Sequence, residues 1–364
     1  MELIPVTTNT CQYPVYIGDG ILGNSVFWAK LLLDRPVLVV SNEVVAPLYL
    51  NQLLAALPEN QVEYLILADG EHTKNLETWQ LINAKLAELK YSRDSCIIAL
   101  GGGVVGDIAG FAAACWMRGI DIIQVPTSLL AQVDASVGGK TAINHPAGKN
   151  LIGAFHQPVA VVIDCLTLNT LPTREFNAGL AEIIKYGAIS DADFFAWIEQ
   201  HSSALTARLP ETVEQAVITS VHAKARQVSA DELEQGSRAL LNFGHTFAHA
   251  LETTTDYQRW LHGEAVSIGM ILAARLSTRL GMENGQAEQR LLKLATKLGL
   301  AVPDAKLPEN QLLINSMRLD KKNLGGNYRF ILLRKLGEAF ICADVADEDL
   351  RAVLDSFRNP LSPG

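Results

Sequence analysis

Five short apolar runs, at residues 37–40, 62–67, 96–100, 122–125 and 159–163, pace the first half of the chain and leave helix-length intervals between them. The first follows Pro36 and stops at Ser41-Asn42. The second alternates and stops at Asp69-Gly70. The third runs into Gly101-Gly102-Gly103, and the fourth stops at Pro126. Residues 76–89 between the second and third have a helical pattern. Strand then helix, repeated, predicts an α/β domain with a mainly parallel sheet.

Beyond Leu171-Pro172 the texture changes. Helical periodicity dominates at 174–186, 194–207, 211–230, 237–253, 263–279 and 287–298, and a strand-like run returns only at 328–333. The 364 residues are too many for one ordinary core. The expectation is two domains, 1–170 and 171–364, the second mostly helical, with the boundary near 166–174. The tail 359–364, with two prolines, is expected to fray.

Composition narrows the function. Hydrophobic residues make up 49% and charged residues 19%, which suits a folded chain. The net charge of −9 argues against a nucleic-acid binder, though not against a small anionic substrate held by a local basic cluster. Cys11, Cys96, Cys115, Cys165 and Cys342 form no C-x-x-C pair, so neither a disulfide framework nor a cysteine zinc site is indicated. The N-terminal residues have no basic start and no apolar run of signal length, and no segment approaches the ~20 apolar residues of a membrane span. The expectation is a cytoplasmic protein.

Gly101, Gly103 and Gly106 satisfy G-x-G-x-x-G between a strand and a helical run at 108–117. Without Cβ atoms, backbone N–H groups at a helix start can face a pyrophosphate. A tight turn that binds nothing fits a lone motif equally well; four glycines in six positions favour the nucleotide. The position is unusual, since earlier strands precede it, and Asp121 is at about the distance of a ribose contact. A second loop, from Asp69 to Lys74, also sits at a strand end, where ligands of open α/β sheets bind. Residues 126–158 show little regular pattern and place Lys140 and Lys149 beside glycines, which suits anion contact; a solvated surface loop is the plain alternative.

His245 and His249 form H-x-x-x-H, so they share a helix face, and His262-Gly263-Glu264 follows. Glu182 and Lys185 share a face of an earlier helix. Two or three histidines and a carboxylate can hold a divalent metal with a position open for substrate. No glutamate follows His245, which removes the H-E-x-x-H protease pattern. Unrelated helix-face histidines and a surface Glu182–Lys185 pair are the alternative. Spacing favours His245 with His249 but does not choose among the three histidines.

Together, DGEHTKN, GGGVVGDIAGF, RGI, the whole stretch QVPTSLLAQVDASVGGKTAINHPAGKNLIGAFHQP, GLAEIIKYG, RALLNFGHTFAHALE, LHGEAVSIGM and Asp320-Lys321-Lys322 resemble the 3-dehydroquinate synthase family of sugar phosphate cyclases, in order and over nearly the whole chain. The resemblance implies an N-terminal Rossmann-like domain, a C-terminal helical domain and an active site in the cleft between them. It implies NAD+ and one divalent metal, Zn2+ or Co2+, held by Glu182, His245 and His262, with His249 then facing substrate. Implied nucleotide contacts are Asn42, Asp69, Gly70, Glu71, His72, Thr73, Lys74, Gly103, Val104, Val105, Gly106, Asp107, Thr127, Ser128, Lys140, Lys149, Thr167, Leu168, Asn169 and Thr170. Implied catalytic and substrate contacts are Asp134, Lys140, Asn150, Lys185, Lys224, Arg238, Asn242, His249 and Lys321, with Arg118 supplied by the neighbouring subunit of a homodimer. Ser128 and Ala248 stand where many members have Thr and Gly; neither change removes a reacting group.

The implied reaction converts 3-deoxy-D-arabino-heptulosonate 7-phosphate into 3-dehydroquinate and phosphate, through transient oxidation at C5, phosphate elimination, reduction and aldol closure. It is a step of the shikimate pathway toward aromatic amino acids. The phosphate suits Lys140, Asn150, Arg118 and His249, and the carboxylate suits Lys224 and the fork of Arg238. The implied partner is a small phosphorylated molecule, with neither nucleic acid nor membrane. Another sugar phosphate cyclase, a metal-dependent polyol dehydrogenase, or a nucleotide-binding regulator are the competing functions.

Overall fold

The computed structural model describes residues 1–58, 62–304, 306–319 and 328–358. Lys321 and the tail expected to fray lie outside the described residues. The chain divides into two compact units, Met1–Pro172 with Val217–Leu233, and Thr173–Ala216 with Glu234–Gly364.

The first unit runs β1 (Glu2–Thr7), β2 (Gln12–Gly18), α1 (Ser25–Leu32), β3 (Val37–Asn42), α2 (Ala46–Ala56), β4 (Val62–Leu67), α3 (Leu76–Glu88), β5 (Cys96–Gly101), α4 (Gly103–Cys115), β6 (Asp121–Pro126), β7 (Lys140–His145), β8 (Gly148–Phe155) and β9 (Ala160–Asp164). One sheet has the order β1-β2-β9-β6-β5-β3-β4, parallel at every step except β1 with β2. The mainly parallel sheet expected from the apolar runs is present. β3 and β5 are buried along their whole length, and period two divides their side chains between two cores. Val37, Val39, Cys96 and Ile98 pack with Trp28, Leu50 and Leu53 of α1 and α2. Leu38, Val40, Ile97 and Ala99 pack with Ile82, Leu86, Ile108 and Phe111 of α3 and α4. Truncating one of these, such as Leu53→Ala, costs ~2–5 kcal/mol.

After β3 the chain steps outward to β4, then returns across β3 to β5 and continues to β6 and β9. The loops that follow β3 and β5 therefore leave in opposite senses. That divergence opens a crevice at the carboxyl ends of these two strands, the usual ligand position in such sheets.

Residues 126–158 are more regular than their sequence suggests. A single wide helical turn, Ala131–Ala135, leads into the β7–β8 hairpin. Its glycines hide the strand signal; a Cβ on Gly153 would lie 2.2 Å from the Thr141 carbonyl oxygen, so close pairing demands glycine there. The β1–β2 hairpin is equally faint, because Pro5 faces Pro14 and reads as a break.

The second unit contains α5 (Thr173–Ser190), α6 (Ala192–Thr206) and the start of α7 (Pro210–Ala230). It continues with α8 (His245–Thr253), α9 (His262–Arg279), α10 (Gln286–Lys297), α11 (Asn310–Leu319), the hairpin β10 (Phe330–Lys335) with β11 (Glu338–Cys342), and α12 (Asp347–Arg358). Its helical character follows the periodicity. The expected helix over 237–253 is instead a 3-10 segment, Ser237–Asn242, a turn at Gly244 with φ of 80°, and then α8. Val217–Leu233 groups with the first unit, whereas the sequence expectation put everything past 170 in the second. Polar ties of long sequence range, invisible to periodicity, fasten it there: Lys224 donates to Asp134, and Glu232 accepts from Asn9, Thr10 and Gln157.

Candidate active site

The nucleotide candidates of the first unit lie at the carboxyl ends of β3, β4, β5, β6 and β9, except Lys140 and Lys149, which are on the β7–β8 hairpin. Asn42 ends β3; its Oδ1 accepts from the Val45 N–H at 2.8 Å and its Nδ2 donates to Asp69 at 2.5 Å. Asp69 opens the loop after β4, where Gly70 has φ of 101° and Glu71, His72 and Thr73 form a short 3-10 turn. Lys74 is 4% exposed and donates to both Asp107 and Asn150. Glu71 accepts from Asn144 at 2.8 Å and lies 3.7 Å from Lys149 Nζ. Asn144 in turn accepts from the Asn150 N–H and donates its own N–H to the Lys74 carbonyl. The loop after β4, Asp107 in the second turn of α4 and the β7–β8 hairpin thus form one hydrogen-bonded network. Burial pushes the Asp107 carboxyl above its usual range, and the ammonium of Lys74 pulls it only part of the way back.

α4 begins at Gly103, inside the glycine cluster, five residues earlier than the helical run suggests. The glycines divide by role. A Cβ on Gly101 or Gly106 would meet Val105 or Gln124 at 2.7 Å, so those two answer to internal packing. Gly102 and Gly103, with Val104, are half-buried at the start of a 13-residue helix, where free N–H groups can meet an anion. Thr127 donates its N–H to Gly101, and Ser128 accepts from Ala131. After β9, Thr167 bonds to Asp164, Gln132 and Tyr49, and Thr170 bonds to Tyr49. Leu168 is buried between them and Asn169 is exposed. Asp121 is not part of this group. It starts β6 opposite Cys96, at the amino ends of the strands, and pairs with Arg35.

Asp134 is in the wide turn after β6, and Lys224 donates to its carbonyl at 2.5 Å and its carboxylate at 2.7 Å. Lys140 is exposed at the start of β7. Arg118 is exposed on a turn where Met117 and Arg118 both have left-handed φ, 51° and 68°. That geometry costs non-glycine residues on the order of 1 kcal/mol each and recurs at functional positions.

In the second unit every residue from 178 to 189 is buried, so α5 carries Glu182 and Lys185 where charge is costly. They are no surface pair: each is 1% exposed, and Lys185 Nζ contacts Glu182 Oε2. Neither Glu182 oxygen accepts a hydrogen bond of ordinary geometry. His245 Nε2 and His262 Nε2 lie 3.8 and 3.9 Å from Glu182 Oε1. One ligand atom from each of Glu182, His245 and His262 fits within 4.8 Å. The other ring nitrogens face acceptors: His245 Nδ1 is 3.2 Å from the Phe243 carbonyl, and His262 Nδ1 is 3.3 Å from Glu252. An acceptor at Nδ1 places the proton there and leaves the Nε2 lone pair toward Glu182, the arrangement that suits a divalent cation.

Helix packing creates this cluster. His245 starts α8 and His262 starts α9. A Cβ on Gly263 would lie 1.9 Å from the Ala178 carbonyl oxygen of α5, and one on Gly269 would lie 2.1 Å from the Gly244 carbonyl oxygen. These glycines let three helix backbones meet. His249, one turn along α8, has its ring 5.7 Å from that of His245 and 6.4 Å from that of His262, outside the three-residue group. Arg238 is fully buried, and Asn242 donates to Glu234 at 2.6 Å. Sequence reasoning missed Glu234 and Glu252. Glu252 stands seven residues from His245, on the same helix face, and that spacing was the available signal.

Comparison with known proteins converges on one family. Residues 64–178 match the model of the 3-dehydroquinate synthase N-terminal region, and residues 179–323 that of the C-terminal region. A 3-dehydroquinate synthase of Halorhodospira halophila is 53% identical over 343 residues, 94% of this chain and 96% of that protein. Among solved structures, 2-epi-5-epi-valiolone synthase of Streptomyces hygroscopicus, with NAD+ and Zn2+ bound, superposes with a TM-score of 0.89 at 28% identity, covering 97% of this chain and 99% of the other. A 2-deoxy-scyllo-inosose synthase complexed with carbaglucose-6-phosphate, NAD+ and Co2+ gives 0.87 at 25% identity, covering 97% and 99%. With both halves matched in order and about half of all positions shared with a named synthase, this chain belongs to the 3-dehydroquinate synthase family.

Proposed function

We propose that the chain is a carbon–oxygen lyase that converts 3-deoxy-D-arabino-heptulosonate 7-phosphate into 3-dehydroquinate and phosphate. The observation that carries the reading is the Glu182, His245 and His262 cluster, its two Nε2 atoms turned toward one buried carboxylate, in a chain of this family. The donor set of one carboxylate and two imidazoles suits Zn2+ or Co2+ and leaves coordination positions for substrate. Gly102 and Gly103 at the start of α4, Asn42, and the loops after β4 and β9 suit the pyrophosphate and ribose of NAD+. When bound, the metal supplies Lewis acidity toward substrate hydroxyls and NAD+ supplies a reversible hydride acceptor.

The chain's own residues hold and orient the substrate. Lys140, Asn150, His249 and Arg118 take the phosphate; Lys224 and Arg238 take the carboxylate, with a bidentate fork from arginine. Lys224 is held by Asp134, so it meets the substrate already oriented. Lys185, buried beside Glu182, donates to a substrate oxygen in a setting where each hydrogen bond is strong. Positioning of this kind supplies much of the rate of a multistep reaction on one substrate.

Phosphate release from the heptulosonate phosphate tests this. Release should require both NAD+ and the metal, stop with chelator, and return on adding Zn2+ or Co2+, with no net accumulation of NADH. Chelator-insensitive release, or NADH accumulating in proportion to product, would refute it. A panel of other sugar phosphates distinguishes the related cyclases.

The enzyme is further proposed to be a cytoplasmic homodimer in which Arg118 reaches the neighbouring subunit's site. Its exposed, left-handed turn supports that role. No helix among the described residues is long and apolar enough to cross a membrane.

A further inference from the structure

Among the three candidate ligands, His262 is the least enclosed. Its side chain is 36% exposed, against 11% for His245 and 1% for Glu182. Packing therefore encloses His262 less than the other two, and its polar contacts weigh more in fixing the ring. One such contact is Glu252, whose side chain is 5% exposed and whose Oε1 lies 3.3 Å from His262 Nδ1.

Glu252 is itself held in place. It lies in the last turn of α8, one residue before the helix ends at Thr253. α8 and α9 run antiparallel, with the Gly244 carbonyl packed against Gly269 at one end and Glu252 against His262 at the other. The glycine contact sets the separation of the two helices, and that separation sets the reach from the carboxylate to the imidazole. His245 needs no such partner, because the Phe243 carbonyl just before its own helix accepts from its Nδ1.

We propose that Glu252 is a positioning residue for the metal centre: its carboxylate accepts the Nδ1–H of His262, fixing both the ring's orientation and the tautomer that presents Nε2 to the ion. This rests on the reading of Glu182, His245 and His262 as metal ligands. A carboxylate accepts and cannot donate, so the proton must be on Nδ1 and the lone pair on Nε2. Partners of this kind typically change metal affinity by ~10–100-fold when removed.

The test uses the full-length protein stripped of metal and titrated with Co2+, followed by its visible d–d absorption and by competition with a chelator. Glu252→Ala should bind Co2+ ~10–100-fold more weakly, with an altered d–d band, while its circular dichroism matches the parent. Glu252→Gln keeps the size and an acceptor oxygen and should recover much of the loss. If Glu252→Ala fails to fold, Glu252→Leu fills the space without an acceptor and carries the same expectation. In the metal-free protein, 15N shifts of His262 should report the Nδ1–H tautomer, and the Leu variant should shift it toward Nε2–H. Parent affinity and an unchanged d–d band in the Ala or Leu variant, with His262→Ala defective, would overturn the role of Glu252 alone. An Nε2–H tautomer in the metal-free parent would overturn it as well. A parent that binds no Co2+, or a His262→Ala variant that binds it normally, would overturn the metal reading and this inference with it.

Discussion

Gly263→Ala isolates the packing on which the metal cluster depends. The added methyl would sit 1.9 Å from the Ala178 carbonyl oxygen and 2.6 Å from its carbonyl carbon, both backbone atoms of α5 that cannot swing aside as a side chain would. Ordinary contact begins near 3.4 Å, so the start of α9 must withdraw from α5 by about 1.5 Å. His262 is the residue immediately before, and Glu182 is one turn along α5 from Ala178, so the withdrawal opens the His262–Glu182 distance by a similar amount. Metal ligands tolerate departures of about 0.2 Å. The variant should therefore lose at least the ~100-fold in Zn2+ affinity that removal of a supporting partner can cost, together with ~1–3 kcal/mol of stability from overpacking. Gly281→Ala is the control: its φ of 70° is strained for alanine, but nothing lies within 4 Å of the new Cβ. It should lose ~1 kcal/mol and keep its metal affinity. Chelator competition and thermal unfolding of the metal-free proteins measure the two effects separately. A Gly263→Ala protein with parent affinity and parent melting temperature would show that the contact between α5 and α9 does not set the ligand geometry.

If Arg118 acts across a dimer, Arg118→Ala and Glu182→Ala proteins, each inactive alone, should regain about a quarter of the parent activity when unfolded together and refolded as a mixture, because one site in four then has both groups intact; no recovery would place Arg118 in its own subunit's site or remove it from catalysis. Glu232 should make the acid limb of stability steeper. Burial alone raises its carboxyl, but the hydrogen bonds from Thr10, Gln157, Thr8 and the Asn9 N–H together outweigh that and hold it below its usual value. A depressed folded-state value means the stabilisation is complete above the unfolded carboxyl value of about 4.3 and is lost as pH falls through the folded value. Glu232→Ala should therefore cost ~1–3 kcal/mol at pH 7, and urea denaturation should show that difference shrinking below about pH 4; a difference independent of pH would refute the assignment. Lys74→Met should leave the Asp107 carboxylate without its cation, costing ~3–5 kcal/mol in denaturant titration and raising the NAD+ concentration needed for half-maximal phosphate release more than that of the sugar phosphate.

The two halves of the chain were unequally legible, for reasons that lie in how each is stabilised. A strand buried on both faces must be apolar throughout, so β3, β5 and β9 announced themselves, and the turn residues after them marked the ligand end of the sheet. The hairpin of residues 140–155 was silent because its close backbone approach requires glycine at 153, the residue that erases a strand pattern. The metal cluster illustrates a sharper limit. Spacing along one helix relates His245 to His249, and that relation is real, yet the atoms that converge come from the start of α8, the start of α9 and the middle of α5. Periodicity describes faces of a single helix and carries no information about where three helices cross. What marks such a crossing in sequence is the small residue that permits it: Gly244 directly before His245, and Gly263 directly after His262. Each glycine has backbone from another helix where a Cβ would be, so a histidine flanked by glycine at a helix start carries a tertiary contact as well as a ligand. On that argument the glycines were better guides to the ligand set than the four-residue spacing, and Gly263 is the position at which a single methyl group decides the matter.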